Sequence, residues 1–257
     1  MIKQERAART RDALLLAAAG EFLRHGYDKA KLSVISAEAG VSSGALHFHF
    51  ENKAALAEAL RNEASHSLRR AARLVHGRRT SALQALVDVS HALADLLRRS
   101  TVVRAGFVLG CETEPDTGLD LRQEWQCCVQ QLLTEAGDGR TLAQGVAQQH
   151  MAAALVASTV GYEVLSRSDP EWLSRATLTA FWELLLPTLA TARTLPRLDP
   201  AGTDAAHRAS ATATATATAL HTGCVPAPAG PPTPAGPPPP ARPRREVRAA
   251  VTDRCPR

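Results

Sequence analysis

The chain has 257 residues and a net charge of +5, and both its composition and its charge are unevenly distributed. Thirteen of the sixteen prolines lie at or after Pro196, whereas all ten aromatic residues lie at or before Trp182, so only the first part can form a dense core. Residues 1–80 carry 14 Lys and Arg against 8 Asp and Glu, whereas residues 81–195 carry 8 against 13. This asymmetry indicates a polyanionic partner for the N-terminal part and argues against a protein that coats nucleic acid uniformly.

The sequence does not favour a membrane, secreted or metal-binding protein. The first apolar run, Ala13 to Gly20, covers eight residues after a charged stretch; it is too short for a membrane span and differs from a signal peptide. We therefore expect a cytoplasmic protein. The five cysteines form no C-x-x-C pair and are odd in number, which favours free thiols over disulfides or a metal site. No cofactor is expected.

Residues 1–195 are predicted to be all helical. They contain three prolines, and the stretches between them are rich in Ala, Leu, Arg, Glu and Gln. In the first helix Leu14, Ala18 and Phe22 share one stripe, and Gly26 is predicted to end it. Further helices are predicted near 32–39, 43–50, 53–75, 81–99, 101–112, 118–136, 142–167 and 170–193, separated by breaks that include Gly40, Gly77, Pro115, Gly137, Gly139 and Pro170.

The stretch LSVISAEAGVSSGALHFHFENK at 32–53 predicts two short helices joined by a tight turn, the arrangement of a helix-turn-helix. Gly40 suits the turn because it accepts a positive φ. Val41 is expected to fill the angle between the helices, while Leu46 and Phe50 point back to the first helix. The remaining positions are expected to face outward, where small residues let the backbone approach base edges. The candidate DNA-binding residues are Ser42, Ser43, Gly44, Ala45, His47, Phe48, His49 and Lys53.

Phosphate contacts are expected beside this second helix. The first backbone amides of the helices that begin near Ser42 and Asn52 suit a phosphate oxygen. Lys53 lies in a first helical turn, where the helix dipole disfavours a cation, so its placement suggests that DNA supplies the counter-charge; a solvated surface lysine is the alternative. His47 and His49 favour phosphate contact or groove packing over a metal site, because residues two apart lie on different faces of a helix; plain surface positions are the alternative.

Two apolar features distinguish the larger, acidic part. Trp125 lies on a helix near Phe107 and Val108 of the preceding one, and a tryptophan wall with one N–H donor suits a small-molecule pocket; a purely structural core is the alternative. Residues 152–164 are apolar nearly all round, which predicts burial on several sides. Together with residues 172–190 they are candidates for a helix-pair dimer surface, whereas completion of a monomer core is the alternative.

Residues 196–257 are predicted to form a disordered tail. Ala and Thr alternate at 211–219, and the Pro-rich stretch at 226–245 favours extended, polyproline-like conformations. A passive extension is the simplest interpretation, although the RPRREVR cluster at 242–248 suggests a weak additional affinity for phosphate. The predicted domains are 1–53 for DNA binding, 54–195 for ligand binding and dimerisation, and 196–257 for the tail.

The N-terminal pattern resembles the TetR family of one-component transcriptional regulators; it comprises the first helix, Gly26-Tyr27, Ile35, Ala39-Gly40-Val41, Gly44, Leu46, Phe50 and Lys53. More narrowly, SSGALHFHFENKAALAEAL at 42–60 is similar to the γ-butyrolactone autoregulator receptors of antibiotic-producing actinomycetes and to their pseudo-receptor homologues. Trp125 and Trp182 stand where those receptors carry pocket tryptophans. Most of the wider family has a phosphate-contacting tyrosine where this chain has His47, and histidine still donates a hydrogen bond.

The resemblance, which covers about residues 5–195, implies a homodimer with two DNA-reading heads and an all-helical body that holds a ligand cavity. A small-molecule effector would shift the heads out of register with a palindromic operator. The implied function is a repressor of antibiotic biosynthesis; the stretch GALHFHFENKAA favours an antibiotic-sensing pseudo-receptor, and a true γ-butyrolactone receptor is the alternative. An all-helical enzyme is a remote alternative, because no G-x-S-x-G, H-E-x-x-H or phosphate-loop pattern occurs.

Overall fold

The structure is a computed structural model that describes residues 2–76, 81–112 and 121–204 together with residues 206 and 208. These residues form nine α-helices and no β-strand, which confirms the predicted all-α class. The helices are α1 Ile2–Lys29, α2 Leu32–Glu38, α3 Ser43–His49, α4 Lys53–His76, α5 Ala82–Arg99, α6 Thr101–Glu112, α7 Leu121–Asp138, α8 Gln148–Ser166 and α9 Arg175–Leu189. Among the described helices, none is long and apolar enough to cross a bilayer. The predicted breaks at Gly77 and Pro115, and the tail from residue 209 onward, lie outside the described residues.

The ends of the first three helices agree with the predicted signals. Gly26 interrupts α1 with a φ of 76°, and the chain then resumes helical pairing up to Lys29. Gly40, with a φ of 67°, forms the turn that follows α2. The hydroxyl of Ser42 accepts a hydrogen bond from the backbone N–H of Ala45 at 3.1 Å and caps α3.

The last two predicted helices were too long. The helix predicted to begin at 142 begins at 148, because Gly145 takes a φ of 86° and residues 141–143 instead pair with the end of α9. The segment predicted as one helix from 170 is divided. Pro170–Leu173 form a 3₁₀ turn, and Ser174 then caps α9 by accepting from the N–H of Thr177 at 3.2 Å.

The described residues form two large hydrophobic clusters and a small third one of Leu83, Ala136 and Ala190, and helices α4 and α6 contribute to both large clusters. The head cluster packs α1, α2 and α3 against Leu56 and Leu60 of α4 and Leu109 of α6. The body cluster contains Leu68 of α4 and Phe107 of α6 together with side chains of α5, α7, α8 and α9. The head core therefore extends past residue 53, and the division of the chain at that residue stays a prediction.

Helix α6 lies unusually close to α4. A Cβ atom at Gly106 would lie 2.6 Å from the Cβ of Ala64 and 2.7 Å from the carbonyl oxygen of Leu60, which is shorter than van der Waals contact allows. Only glycine fits such a crossing without moving one backbone. The absence of a side chain at this position therefore determines how close the two shared helices approach each other.

Helix α8 is less buried than its composition suggests. Within the described chain its buried positions are Ala152, Leu155, Val156, Glu163 and Ser166, on the side that faces the body cluster. The opposite side, which carries Ala153, Ala154 and Ala157, is exposed. The prediction of burial on several sides was therefore wrong for a single chain.

The packed part of the chain also extends past the predicted boundary at residue 195. Asp88 of α5 is fully buried, and its carboxyl oxygens accept from the N–H and the hydroxyl of Thr203 at 2.8 and 2.7 Å. Gln84 of α5 exchanges two hydrogen bonds with the backbone of Asp199, at 2.7 and 3.1 Å. The prediction that the structureless tail begins at residue 196 was therefore wrong for residues 196–204, which a polar network holds against α5.

We expect Asp88→Ala to lower the free energy of unfolding by about 2 kcal/mol, because two donors of Thr203 and one of Gln84 lose a buried acceptor. Urea denaturation measures the change. Asp138→Ala, at an exposed position on α7, is the matched control and should change stability by less than about 0.5 kcal/mol. Equal effects of the two substitutions would contradict the anchoring role of Asp88.

Candidate nucleic-acid interface and ligand pocket

Helices α2 and α3 form the predicted helix-turn-helix. The N–H of Val41 donates to the carbonyl oxygen of Ser36 at 3.0 Å across the turn. Ile35 of α2, Leu46 of α3 and Phe50 are buried in the head cluster, as predicted. These three side chains are buried in the same core, and they fix the orientation of α3. The opposite side of α3 therefore faces outward.

The outward side of α3 carries the predicted DNA-binding residues. Ser42, Ser43, Gly44, His47 and Phe48 are exposed, and Ala45 and His49 are partly buried. Phe48 is 82% exposed, and its ring meets the ring of His49 edge-on at a centroid distance of 5.2 Å. Single exposed apolar side chains are common on protein surfaces, so Phe48 supports a contact site only together with the predicted DNA-binding residues around it.

The structure gives Lys53 partners that the sequence did not suggest. Its Nζ donates to the carbonyl oxygens of Tyr27, Asp28 and Ala30 at 2.8, 3.0 and 3.4 Å and lies 4.6 Å from the centre of the Tyr27 ring. The carbonyls at the end of α1 thus supply the counter-charge that the helix start requires. The place of Lys53 at a helix start is therefore not by itself evidence for DNA, and its contact with phosphate stays a prediction.

Trp125 and Trp182 line the same cavity in the body. Its walls come from α5, α7, α8, the 3₁₀ turn and α9, and its volume is about 20 Å³, room for roughly one water molecule. Phe107 and Val108 are buried but do not line it; Phe107 packs in the same body cluster as Trp125. The sequence reasoning missed the other lining residues, which are Ser90, Ala94, Leu155, Ser158, Thr159, Tyr162, Leu173, Leu178 and Phe181.

Several of the missed residues follow from where the helices pack. Tyr162 and Phe181 meet edge-on at 5.8 Å and bring α8 and α9 together, and Phe181 contacts Trp182 at 5.5 Å. Aromatic residues inside apolar helical segments are the signal that was available in the sequence. It does not distinguish cavity lining from ordinary core, because both need the same composition.

The polar groups of the cavity differ in whether they are already paired. The indole N–H of Trp125 donates to the hydroxyl of Thr159 at 3.1 Å, and that hydroxyl donates to the carbonyl oxygen of Leu155 at 2.9 Å. The buried indole N–H of Trp182 has no acceptor in the part of the chain that the structure describes. Burial raises the pKa of the Tyr162 phenol, which therefore stays protonated and able to donate at neutral pH.

Two ion pairs connect the cavity walls to the helices that carry the head. Glu124, next to Trp125 on α7, accepts both guanidinium hydrogen bonds of Arg69 on α4, with an Nε to Oε2 distance of 2.9 Å. Arg104 of α6 donates to Glu163 of α8 at 3.1 Å, and the Glu163 side chain is only 2% exposed. Since α4 and α6 also belong to the head cluster, these contacts join two helices of the cavity wall to two helices that pack in the head.

The described cysteines are consistent with free thiols. Cys127 and Cys128 form no disulfide, and burial raises the pKa of the Cys128 thiol to about 11, which keeps it protonated. The side chain of Cys111, and both Cys224 and Cys255, lie outside the described residues. Among the described side chains, no group of three His, Cys, Asp or Glu residues lies together in a way that could hold a metal ion.

Comparison with known proteins agrees with this architecture. Residues 14–60 match the family described as bacterial regulatory proteins, tetR family. The chain is 29% identical over 203 residues to the A-factor receptor protein of Streptomyces griseus, and the matched region covers 79% of this chain and 71% of that protein. A solved gamma-butyrolactone receptor, described as ArpA-like, is 32% identical with a TM-score of 0.67, over 80% of this chain and 99% of the other. CprB from Streptomyces coelicolor, in complex with its biological operator sequence, is 29% identical with a TM-score of 0.64, over 83% and 99%.

The chain belongs to the TetR family of DNA-binding transcriptional regulators. Within that family it is related to the gamma-butyrolactone-receptor-like members, of which the A-factor receptor protein and CprB are examples. These relatives are regulators of transcription rather than enzymes.

We expect Lys53→Met to lower the free energy of unfolding by about 2 kcal/mol, because methionine keeps the aliphatic stem but leaves three carbonyl groups of the α1 end without their donor. Lys31→Met removes an exposed lysine of the same segment and is the control, with an effect under about 0.5 kcal/mol. Chemical denaturation reports both. If Lys53→Met instead weakens DNA binding at unchanged stability, the hydrogen bonds of Lys53 to the three carbonyls contribute little to stability. The role of Lys53 is then the contact with phosphate.

Proposed function

We propose that the chain is a ligand-responsive repressor that binds a palindromic operator as a homodimer and is released by a small molecule, in the control of antibiotic biosynthesis. The observation that carries this proposal is the position of the cavity residue Trp125 directly beside Glu124, which is paired with Arg69 on the helix that starts at the head. The proposed domains are a DNA-binding head over 1–53, a ligand-binding and dimerisation body that runs from 54 through the packed residues 196–204, and a tail after them.

DNA recognition is proposed for the outward side of α3. An α-helix fits the major groove, where Ser42, Ser43, Gly44 and Ala45 at its leading end allow close approach to base edges. The exposed ring of Phe48 suits contact with a thymine methyl group, and His47 and His49 suit phosphate or groove contacts. Two such helices about 34 Å apart would match half-sites one turn apart, which requires two copies of the chain.

The exposed sides of α8 and α9 support the homodimer. Helix α8 presents three alanines, with Val164 and Leu165 near its end, and α9 presents Leu184, which is 80% exposed. Apolar helix faces of this extent are typical of protein interfaces. Small residues on one helix and a large one on the other allow close packing between copies.

The cavity supports a mechanism for release. A volume of about 20 Å³ is far below the roughly 300 Å³ that a small-molecule site needs, so a ligand must separate the cavity walls. Displacement of α7 would pull on α4 through Glu124 and Arg69, and displacement of α8 would act on α6 through Glu163 and Arg104. The ligand then binds the released arrangement more tightly than the DNA-bound one, as a shift of populations requires.

The preferred effector is an antibiotic-like molecule, and a γ-butyrolactone is the second candidate. The likeness to the A-factor receptor protein favours the lactone, whereas the stretch GALHFHFENKAA at 44–55 favours the pseudo-receptor branch. Both candidates are apolar molecules with a few polar groups, which suits a cavity of Trp125, Trp182 and Phe181 with hydroxyl groups at its edge.

We expect Phe48→Ala and His47→Ala each to weaken operator binding by about tenfold, because each removes one proposed contact at a protein–DNA interface. Fluorescence anisotropy with DNA from upstream of the protein's own gene measures the affinity. Leu74→Ala and His76→Ala, which remove exposed side chains near the end of α4, are the matched controls and should leave it unchanged. Equal effects of test and control variants would rule out this face as the DNA reader.

We expect Trp125→Phe to raise the effector concentration needed for operator release by about tenfold while leaving operator affinity unchanged, because phenylalanine loses wall area and the indole N–H. Release is followed by anisotropy with synthetic A-factor and a panel of antibiotics. The control is Trp172→Phe, at a partly exposed tryptophan outside the cavity. An unaltered dose response of Trp125→Phe to an active compound would remove this cavity as the effector site.

A further inference from the structure

A second, polar cleft lies against the tryptophan cavity. It has a volume of about 150 Å³ and is lined by residues of α5, the end of the 3₁₀ turn, the start of α9 and Ala206. Ala94, Leu173 and Leu178 line both spaces, so a single layer of side chains separates them. One of the three is alanine, which makes this layer thin at that point.

The cleft is rich in positive charge. Arg98 and Arg99 donate to the same Asp95 oxygen at 2.9 and 2.8 Å, so one carboxylate is shared by two guanidinium groups. Arg175 donates to the carbonyl oxygens of Ala201 and Gly202 at 3.0 and 3.1 Å, and these described partners are neutral. Three arginines against one aspartate give the lining an excess of two positive charges.

The two spaces thus differ in the chemistry that each suits. The cavity offers aromatic walls and the indole N–H of Trp182, a buried donor that has no acceptor among the described residues. A ligand atom that accepts a hydrogen bond would satisfy this donor. The cleft offers guanidinium groups, which bind carboxylate, sulfonate and phosphate oxygens through charge-assisted hydrogen bonds.

We propose that the effector is an amphipathic anion, with an aromatic or polycyclic body in the tryptophan cavity and an acidic group in the arginine cleft. Binding moves the Ala94, Leu173 and Leu178 layer aside and joins the two spaces. This inference rests on the proposed function, because it assumes that the tryptophan cavity is the effector site. It selects acid-bearing ring systems over neutral alkyl lactones.

The test compares two dyes that share an aromatic body and differ in charge. 8-Anilinonaphthalene-1-sulfonate carries a sulfonate, and N-phenyl-1-naphthylamine lacks it. Titrated into the full chain without DNA, the anionic dye should bind about tenfold more tightly. The double variant Arg98→Gln and Arg99→Gln should bind the anionic dye about tenfold more weakly than the unsubstituted chain does. Its affinity for the neutral dye should be unchanged. Arg73→Gln with Arg193→Gln, two exposed arginines elsewhere, removes the same charge and should change neither affinity.

A second pair of variants shows whether the dye lies in the cavity rather than on an apolar surface. Ala94→Met and Ser158→Leu each fill part of the lining and should weaken both dyes about tenfold, with circular dichroism used to select the variant that keeps its fold. The inference is overturned if the affinity for the anionic dye is unchanged by both cavity-filling substitutions. It is also overturned if that affinity is unchanged by the Arg98 and Arg99 substitutions. An affinity that is reduced by both kinds of substitution supports the inference, whether or not the dye releases the operator. Operator release tests the proposed function separately.

Discussion

Helix α4 carries the constraint on which the rest of the structure depends, because it belongs to the cores of both the head and the body. Its first residue, Lys53, binds three backbone carbonyls at the end of α1. Its middle packs against Gly106 of α6 at a distance that no larger residue would allow. Farther along, Arg69 holds Glu124 of α7. These three contacts join α4 to α1, α6 and α7, so this one helix connects the packed interior of the head with that of the body.

The cavity proposed as the effector site is nearly closed. Trp125 and Trp182 leave space for about one water molecule, so any organic ligand must separate α5, α7, α8 and α9. The polar groups are arranged unequally: Trp125 is satisfied by Thr159, whereas Trp182 is a buried donor without an acceptor in the described chain. An orphan donor costs free energy in the closed state, and a ligand acceptor removes that cost. Under the proposed function, the closed cavity therefore holds one unpaired donor that a hydrogen-bond acceptor on the effector would satisfy.

Several elements of the candidate sites could be predicted because their causes are local. The turn at Gly40, the cap at Ser42 and the inward set of Leu46 and Phe50 depend on residues within about ten positions of one another. Lys53 shows the limit of such reasoning. Its position at a helix start was correctly seen as unfavourable, but the carbonyls that compensate it lie more than twenty residues earlier in the chain. Nothing in the local pattern identifies them.

The sequence by itself determined the all-helical class, the head with its outward α3 face, and the family resemblance, because helical periodicity, caps and turn glycines act within a few residues. The tertiary structure decided which apolar residues line a cavity and which only pack, and so brought Trp182 beside Trp125 and left Phe107 outside. It also decided that residues 196–204 are packed, through the pairing of Asp88 with Thr203 across 115 residues. Composition could not show this, because hydrogen bonds between distant segments leave no periodic pattern in the sequence.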